Sequence, residues 1–118
     1  MERKEVSDNI KALQSARAKQ FTYNDVIALV AKYESTLRRK LSDANKKVER
    51  LERSGASKTS DGYNAALNDE MVLQYQIIEA VQIRIDLLEK QVEVTAEVDK
   101  VSKAFSEMVK RVDDEGIE

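Results

Sequence analysis

Arg53-Ser54-Gly55-Ala56-Ser57-Lys58-Thr59-Ser60-Asp61-Gly62 is the one small, polar, glycine-containing stretch in the interior of this 118-residue chain. Such composition marks a loop. On both sides of it, apolar residues recur at helical spacing. Before the loop, Val26, Val30, Tyr33, Leu37, Leu41, Ala44, Val48 and Leu51 follow one another by three or four residues. Two consecutive steps of four around Leu37 read as a stutter. After the loop, Tyr63, Leu67, Met71, Gln74, Ile78, Val81, Ile85, Leu88 and Val92 form a second stripe, with Ser60 or Asp61 as its N-cap. That stripe slips near residues 91–95 and resumes at Val94, Val98, Val101, Phe105, Met108 and Val112.

Nearer the N-terminus, Val6, Ile10, Leu13 and Ala16 make a short stripe in a helix from about residue 7 to 20. Thr22, with Asp25 three positions on, reads as the cap of a new helix. The sequence therefore predicts an all-α fold, a coiled-coil-like antiparallel helical hairpin in one domain. Arm one covers about 7–53 with an interruption near 20–22, the loop about 54–61, and arm two about 61–112. The acidic tail at 113–118 should fray, since carboxylates oppose the negative end of a helix dipole. Val81–Leu87 and Val92–Val98 also alternate as strands would. A hairpin there needs a turn at Leu88-Glu89-Lys90-Gln91, without Gly, Asn or Asp, so the helix is preferred.

Antiparallel arms pair residues whose numbers have a constant sum. A sum near 115 sets Val30 against Ile85, Leu37 against Ile78, Ala44 against Met71 and Val48 against Leu67. It also sets Asp25 against Lys90, Lys46 against Asp69 and Glu5 against Lys110, with Glu97 and Asp99 flanking the position opposite Arg17. Beside the arm-two stripe lie Leu73, Ile77, Ala80 and Leu87, and Ile27 and Leu29 widen the facing arm. This apolar surface exceeds the seam of a two-stranded coiled coil. The first helix folded back over the hairpin would cover it. The preferred reading is a second chain, giving a homodimer and a four-helix bundle through Leu73, Ile77, Ala80, Leu87, Ile27 and Leu29.

Composition removes most chemistry. There is no histidine, cysteine or proline, and 36% of residues are charged. Disulfides, thiolate metal sites, cysteine nucleophiles and histidine bases are excluded. Glu89, Glu93 and Glu97 share a helix face, but bundle di-metal sites also need histidines, so a solvated acidic face is the reading. No glycine-rich phosphate loop is present, and neither a cofactor nor an enzyme is expected. No apolar run approaches the ~18 residues of a membrane span. Met1-Glu2-Arg3-Lys4-Glu5 leads into no signal-like segment, so a cytoplasmic location is expected.

Charge is segregated along the chain. Residues 1–59 carry 14 Lys/Arg and 8 Asp/Glu, and residues 60–118 carry 6 and 14. Arg39, Lys46, Arg50 and Arg53 line one side of the first arm near the loop, within a basic stretch at 38–58. Such a stripe suits phosphate contacts, the alternative function being a nucleic-acid-binding hairpin. The competing reading is charge balance against the acidic second arm. Tyr33 and Tyr63 fall on core stripes, whereas Tyr23 and Tyr75 lie off them.

In size and hairpin shape the chain is similar to the small helical hairpins exported by type VII secretion systems. Its turn lacks that family's Trp-x-Gly, so no residue carries over. Bacteriophage accessory proteins and secretion chaperones offer further likenesses of shape alone. The function expected is a self-associating protein-interaction module of adaptor, chaperone, inhibitor or assembly-factor type.

Overall fold

The computed structural model describes residues 1–117. The chain is an all-α helical hairpin of two helices, α1 (Arg3–Arg53) and α2 (Asp61–Glu115), with no strand among the described residues. The loop is closed by backbone chemistry at both ends. Gly55, at φ 72°, donates its N–H to Glu52 O, and Ala56 N–H bonds Leu51 O. Those two bonds with a left-handed glycine make the Schellman stop of α1. Ser60 then caps α2, its Oγ accepting the N–H of Tyr63 at 3.3 Å, and Asp61 adds a carboxylate in the first turn.

The chain divides into a terminal unit (residues 1–27 and 86–118) and a loop unit (residues 28–85). In the loop unit, the inward residues of α1 are Val30, Glu34, Leu37, Leu41, Ala44, Val48 and Leu51. Those of α2 are Tyr63, Ala66, Glu70, Leu73, Ile77, Ala80 and Arg84. Steps of three and four alternate without a break, the repeat of a coiled-coil seam. Leu37, Ile77 and Ala80 form one buried cluster, and Val48, Tyr63 and Ala66 another. Ala66 and Ala80 are each 1% exposed, and their small side chains let the helices approach closely.

In the terminal unit the same alternation holds. Val6, Asn9, Leu13, Ala16, Gln20, Tyr23 and Ile27 face Leu87, Gln91, Val94, Val98, Val101, Phe105, Met108 and Val112. Gln20 bonds Thr95 and Asn24 bonds Gln91, while Lys19 lies 3.8 Å from Glu97. Both hydrogen-bonded pairs have residue numbers that sum to 115, as does Glu52 with Tyr63 in the loop unit. The antiparallel register is the one the stripes predict.

Four expectations are corrected. The first helix is not interrupted near 20–22: Thr22 is inside α1, its hydroxyl turned back onto Ala18 O at 3.0 Å instead of capping. The slip at 91–95 is likewise absent, because Gln20 and Gln91 occupy inward positions and carry the repeat through with polar side chains. α1 begins at Arg3, and α2 continues through Asp113 and Asp114 to Glu115. Arg111 lies 3.9 Å from Glu115, and Gly116, at φ 76°, bonds Val112 O, so Glu115 is paired and the helix end is capped. The expectation for Glu118 falls outside the described residues.

The fourth correction is a rotation. Leu37 packs on Ile77 and Ala80 where Ile78 was expected, and Val48 on Ala66 in place of Leu67. On α1, Ile27 and Glu34 turn inward, while Val26 and Tyr33 are exposed. The expected stripe was the more apolar one. The seam that forms is the one whose repeat is continuous.

These burial differences set mutational costs. Leu37→Ala removes a buried side chain from the loop-unit seam and should cost ~2–5 kcal/mol. Leu29→Ala, at an exposed position, should change stability by no more than ~0.5 kcal/mol. Urea unfolding followed by circular dichroism measures both.

Candidate functional site

Glu34 decides how the loop unit is arranged. It is 8% exposed, at an inward position between Val30 and Leu37. Arg84 donates from Nε to Oε2 at 2.8 Å across the seam. Arg38, one turn on, donates from Nε and Nη2 to Oε1 at 3.3 and 3.0 Å. Both carboxylate oxygens are thereby occupied. The Arg84 hydrogen bond, reinforced by Arg38, holds the carboxyl below the usual glutamate range. Near the loop, Tyr63 donates its hydroxyl to Glu52 Oε1 at 2.9 Å, and that bond raises the phenol above its ordinary pKa. Both arrangements tie α1 to α2, and neither leaves a reactive group facing a cavity.

With Arg84 turned inward, its neighbours on α2 turn outward. Ile78 is 64% exposed and Met71 53%, with Ile85 and Leu67 also on the surface. Tyr75 stands beside Met71 and Ile78 on a shallow surface groove. From Asn64 to Ile85 this strip of α2 carries no charge. By heptad position the flank continues onto α1 as Ala28, Ala31, Ser35 and Ser42, all exposed and small. Arg38 is the one charge on that part of α1, and Glu34 already pairs it. An exposed face of large apolar residues without charge has the composition of an interface centre.

The residues expected to self-associate fall elsewhere. Ile77 and Ala80 are buried in the chain's own seam, and Leu73 packs half-buried against them. Leu87 and Ile27 are inward residues of the terminal unit. Leu29 is exposed, but its heptad position puts it on the opposite flank with Tyr33 and Ile83. The outward strip is visible in the sequence as an apolar stripe, and its apolar character is what makes it read as the seam.

The basic residues occupy the outer ridge of α1. Lys46, Arg50 and Arg53 lie together with Asp43 and Glu49 around a shallow depression, and Arg39 stands one heptad before Lys46. Lys46 thus keeps company with its own helix, and Lys40, not Lys46, shares a groove with Asp69. Arg53 lies 3.9 Å from Glu49, so part of the positive charge is met locally. Of the other expected contacts, Lys90 pairs with Glu93 on its own helix, and Glu97 with Lys19. Tyr23 is half-buried in the terminal unit, and Tyr75 is exposed.

Among the described residues no group of three acidic, histidine or cysteine side chains is placed to hold a metal ion. None of the described helices is long and apolar enough to cross a membrane. In comparisons with known proteins, no family model, curated protein or solved structure matches this chain.

The Glu34 cluster makes stability pH-dependent in a defined sense. A carboxyl whose folded pKa is depressed stabilises the fold above its unfolded value, about 4.3. That contribution is lost as pH falls through the lower folded value. Glu34→Gln should have a lower urea midpoint than the natural chain at pH 7. Between about pH 5 and pH 3 its midpoint should fall by less, because the Glu34 proton no longer contributes.

Proposed function

We propose that this chain is a non-enzymatic protein-interaction module of the cytoplasm, acting as an adaptor, chaperone, inhibitor or assembly factor. Its working surface is the uncharged flank of the loop unit, centred on Ile78. The observation that carries this reading is the exposure of Met71, Ile78 and Ile85 at seven-residue intervals on one continuous helix. A helical partner laid along such a strip meets an apolar ridge at every second turn, the helix-in-groove mode of recognition. The chemistry available points the same way. The chain has neither histidine nor cysteine, and its buried carboxylate is committed to two arginines.

The basic ridge supports nucleic-acid contact less well, since Asp43 and Glu49 stand within it. No tyrosine or phenylalanine interrupts α1 between Glu34 and Arg53 to stack on bases.

Tagged protein retrieved from the source cells tests the reading. Burying an Ile side chain is worth ~1.5–3 kcal/mol, so Ile78→Glu should weaken retention of the bound protein at least about tenfold. A ridge variant, Lys46→Glu with Arg50→Glu, should leave retention unchanged. Loss with the ridge variant instead, together with salt-dependent binding of an oligonucleotide by the natural chain, would replace this reading by the nucleic-acid one.

A further inference from the structure

We infer that the occupant of the Ile78 flank is a second copy of this chain, docked with its twofold axis along the helices so that α2 of each copy lies on α1 of the other. This rests on the interaction-module reading and names its partner.

Shape is the first argument. Two copies can face each other across this flank with the twofold either along the helices or across them. Across the helices, α2 meets α2 and large residues confront large ones, while the small residues of α1 confront each other. Along the helices, the antiparallel register brings Met71, Ile78 and Ile85 within two residues, ~3 Å, of the level of Ser42, Ser35 and Ala28 of the partner. Three large side chains then enter three shallow positions, seven residues apart in both helices. That is the alternation of bulk that helix packing needs.

Charge is the second argument, and it is independent of shape. Between Ala28 and Arg53, α1 carries eight Lys/Arg against four Asp/Glu. Between Asp61 and Ile85, α2 carries four Asp/Glu against one Arg. Glu70 faces the seam and Asp69 the Lys40 groove, so this charge lies around the contact and not on it. Placing α2 on the partner's α1 brings helices of opposite net charge together on both sides. The crossed alternative sets like on like, which electrostatic complementarity disfavours.

Area is the third. The exposed parts of Leu67, Met71, Tyr75, Ile78 and Ile85 amount to roughly 500 Å², at the upper end of the apolar patches monomers carry. Two such faces with the surface around them approach the lower end of the ~1,200–2,000 Å² of specific interfaces. Arg38 is no obstacle, since Glu34 pairs it before any docking.

The absence of cysteine allows a direct test on the full chain. Light scattering at tens of micromolar should give about 27 kDa, twice the 13.4 kDa of one chain. Ile78→Glu should give a helical monomer with at least a tenfold loss of association. An equimolar mixture of Ile78→Cys and Ser35→Cys chains, oxidised when dilute, should form mainly the mixed disulfide. Mainly Ile78→Cys homodimers would indicate the crossed arrangement and overturn the proposal, as would a dimer that forms no disulfide at either position. A monomer of about 13 kDa would also overturn it. In that case the interaction-module reading stands if source cells yield a different protein that Ile78→Glu fails to retain.

Discussion

One carboxylate sets the rotation of the loop-unit helices. Glu34 occupies an inward position of α1, where an unpaired charge would be costly. Arg84 and Arg38 between them satisfy both its oxygens. For Arg84 to reach across the seam, α2 must turn that residue inward. Ile78 and Ile85, on a different side of the same helix, then turn outward. A buried ion pair adds little net stability compared with apolar packing, but it is specific about register and rotation. The seam that accommodates this pairing, and whose repeat is continuous, contains Ala66, Glu70 and Arg84 in place of Leu67, Met71 and Ile85. The most apolar strip of α2 is left exposed as a consequence.

That inversion explains what the sequence could and could not reveal. The loop at 54–60, the two helices and the antiparallel register all follow from turn composition and the spacing of apolar residues. The rotation does not, because hydrophobic periodicity favours the stripe with the most apolar members. On α2 that stripe is displaced by one residue from the seam, at Ile78 instead of Ile77 and Leu67 instead of Ala66. Polar residues at inward positions had a similar effect. Gln20 and Gln91 looked like a break in one helix and a slip in the other, although both continue the repeat. The readable signal was continuity: allowing Gln20, Glu34, Glu70, Arg84 and Gln91 into the pattern gives alternating steps of three and four in both helices.

The candidate site was legible in its parts and misassigned in its role. By apolar spacing alone, Met71, Ile78 and Ile85 belong to the seam and Ile77 and Ala80 to the outer face. Their positions are exchanged by a rotation of one residue, about 100° on a helix. The basic ridge was easier to place, because charged side chains on the outside of a coiled coil need no partner to define their face. What they contact depends on helix rotation: a register sum of 115 sets Lys46 against Asp69, yet Lys40 is the residue that shares its groove.

The seam also bears on why the exposed flank matters energetically. Among the described residues no large side chain is fully buried, since two helices cover each other on one side only. The most enclosed positions are alanines, which contribute little apolar area, and several inward positions are polar. Hydrophobic burial scales with the apolar area removed from water, so a seam of this composition gives the hairpin only part of the stabilisation its apolar residues could supply. Part of the remainder resides in Met71, Ile78, Ile85 and Tyr75, and that part is realised only when another surface covers them. Stability and association are therefore linked: anything that binds the folded flank and not the unfolded chain raises the apparent stability with its concentration. The charge on Glu34 fixes α2 with that flank outward, so the same residue that costs the seam an apolar contact leaves the apolar face available for docking.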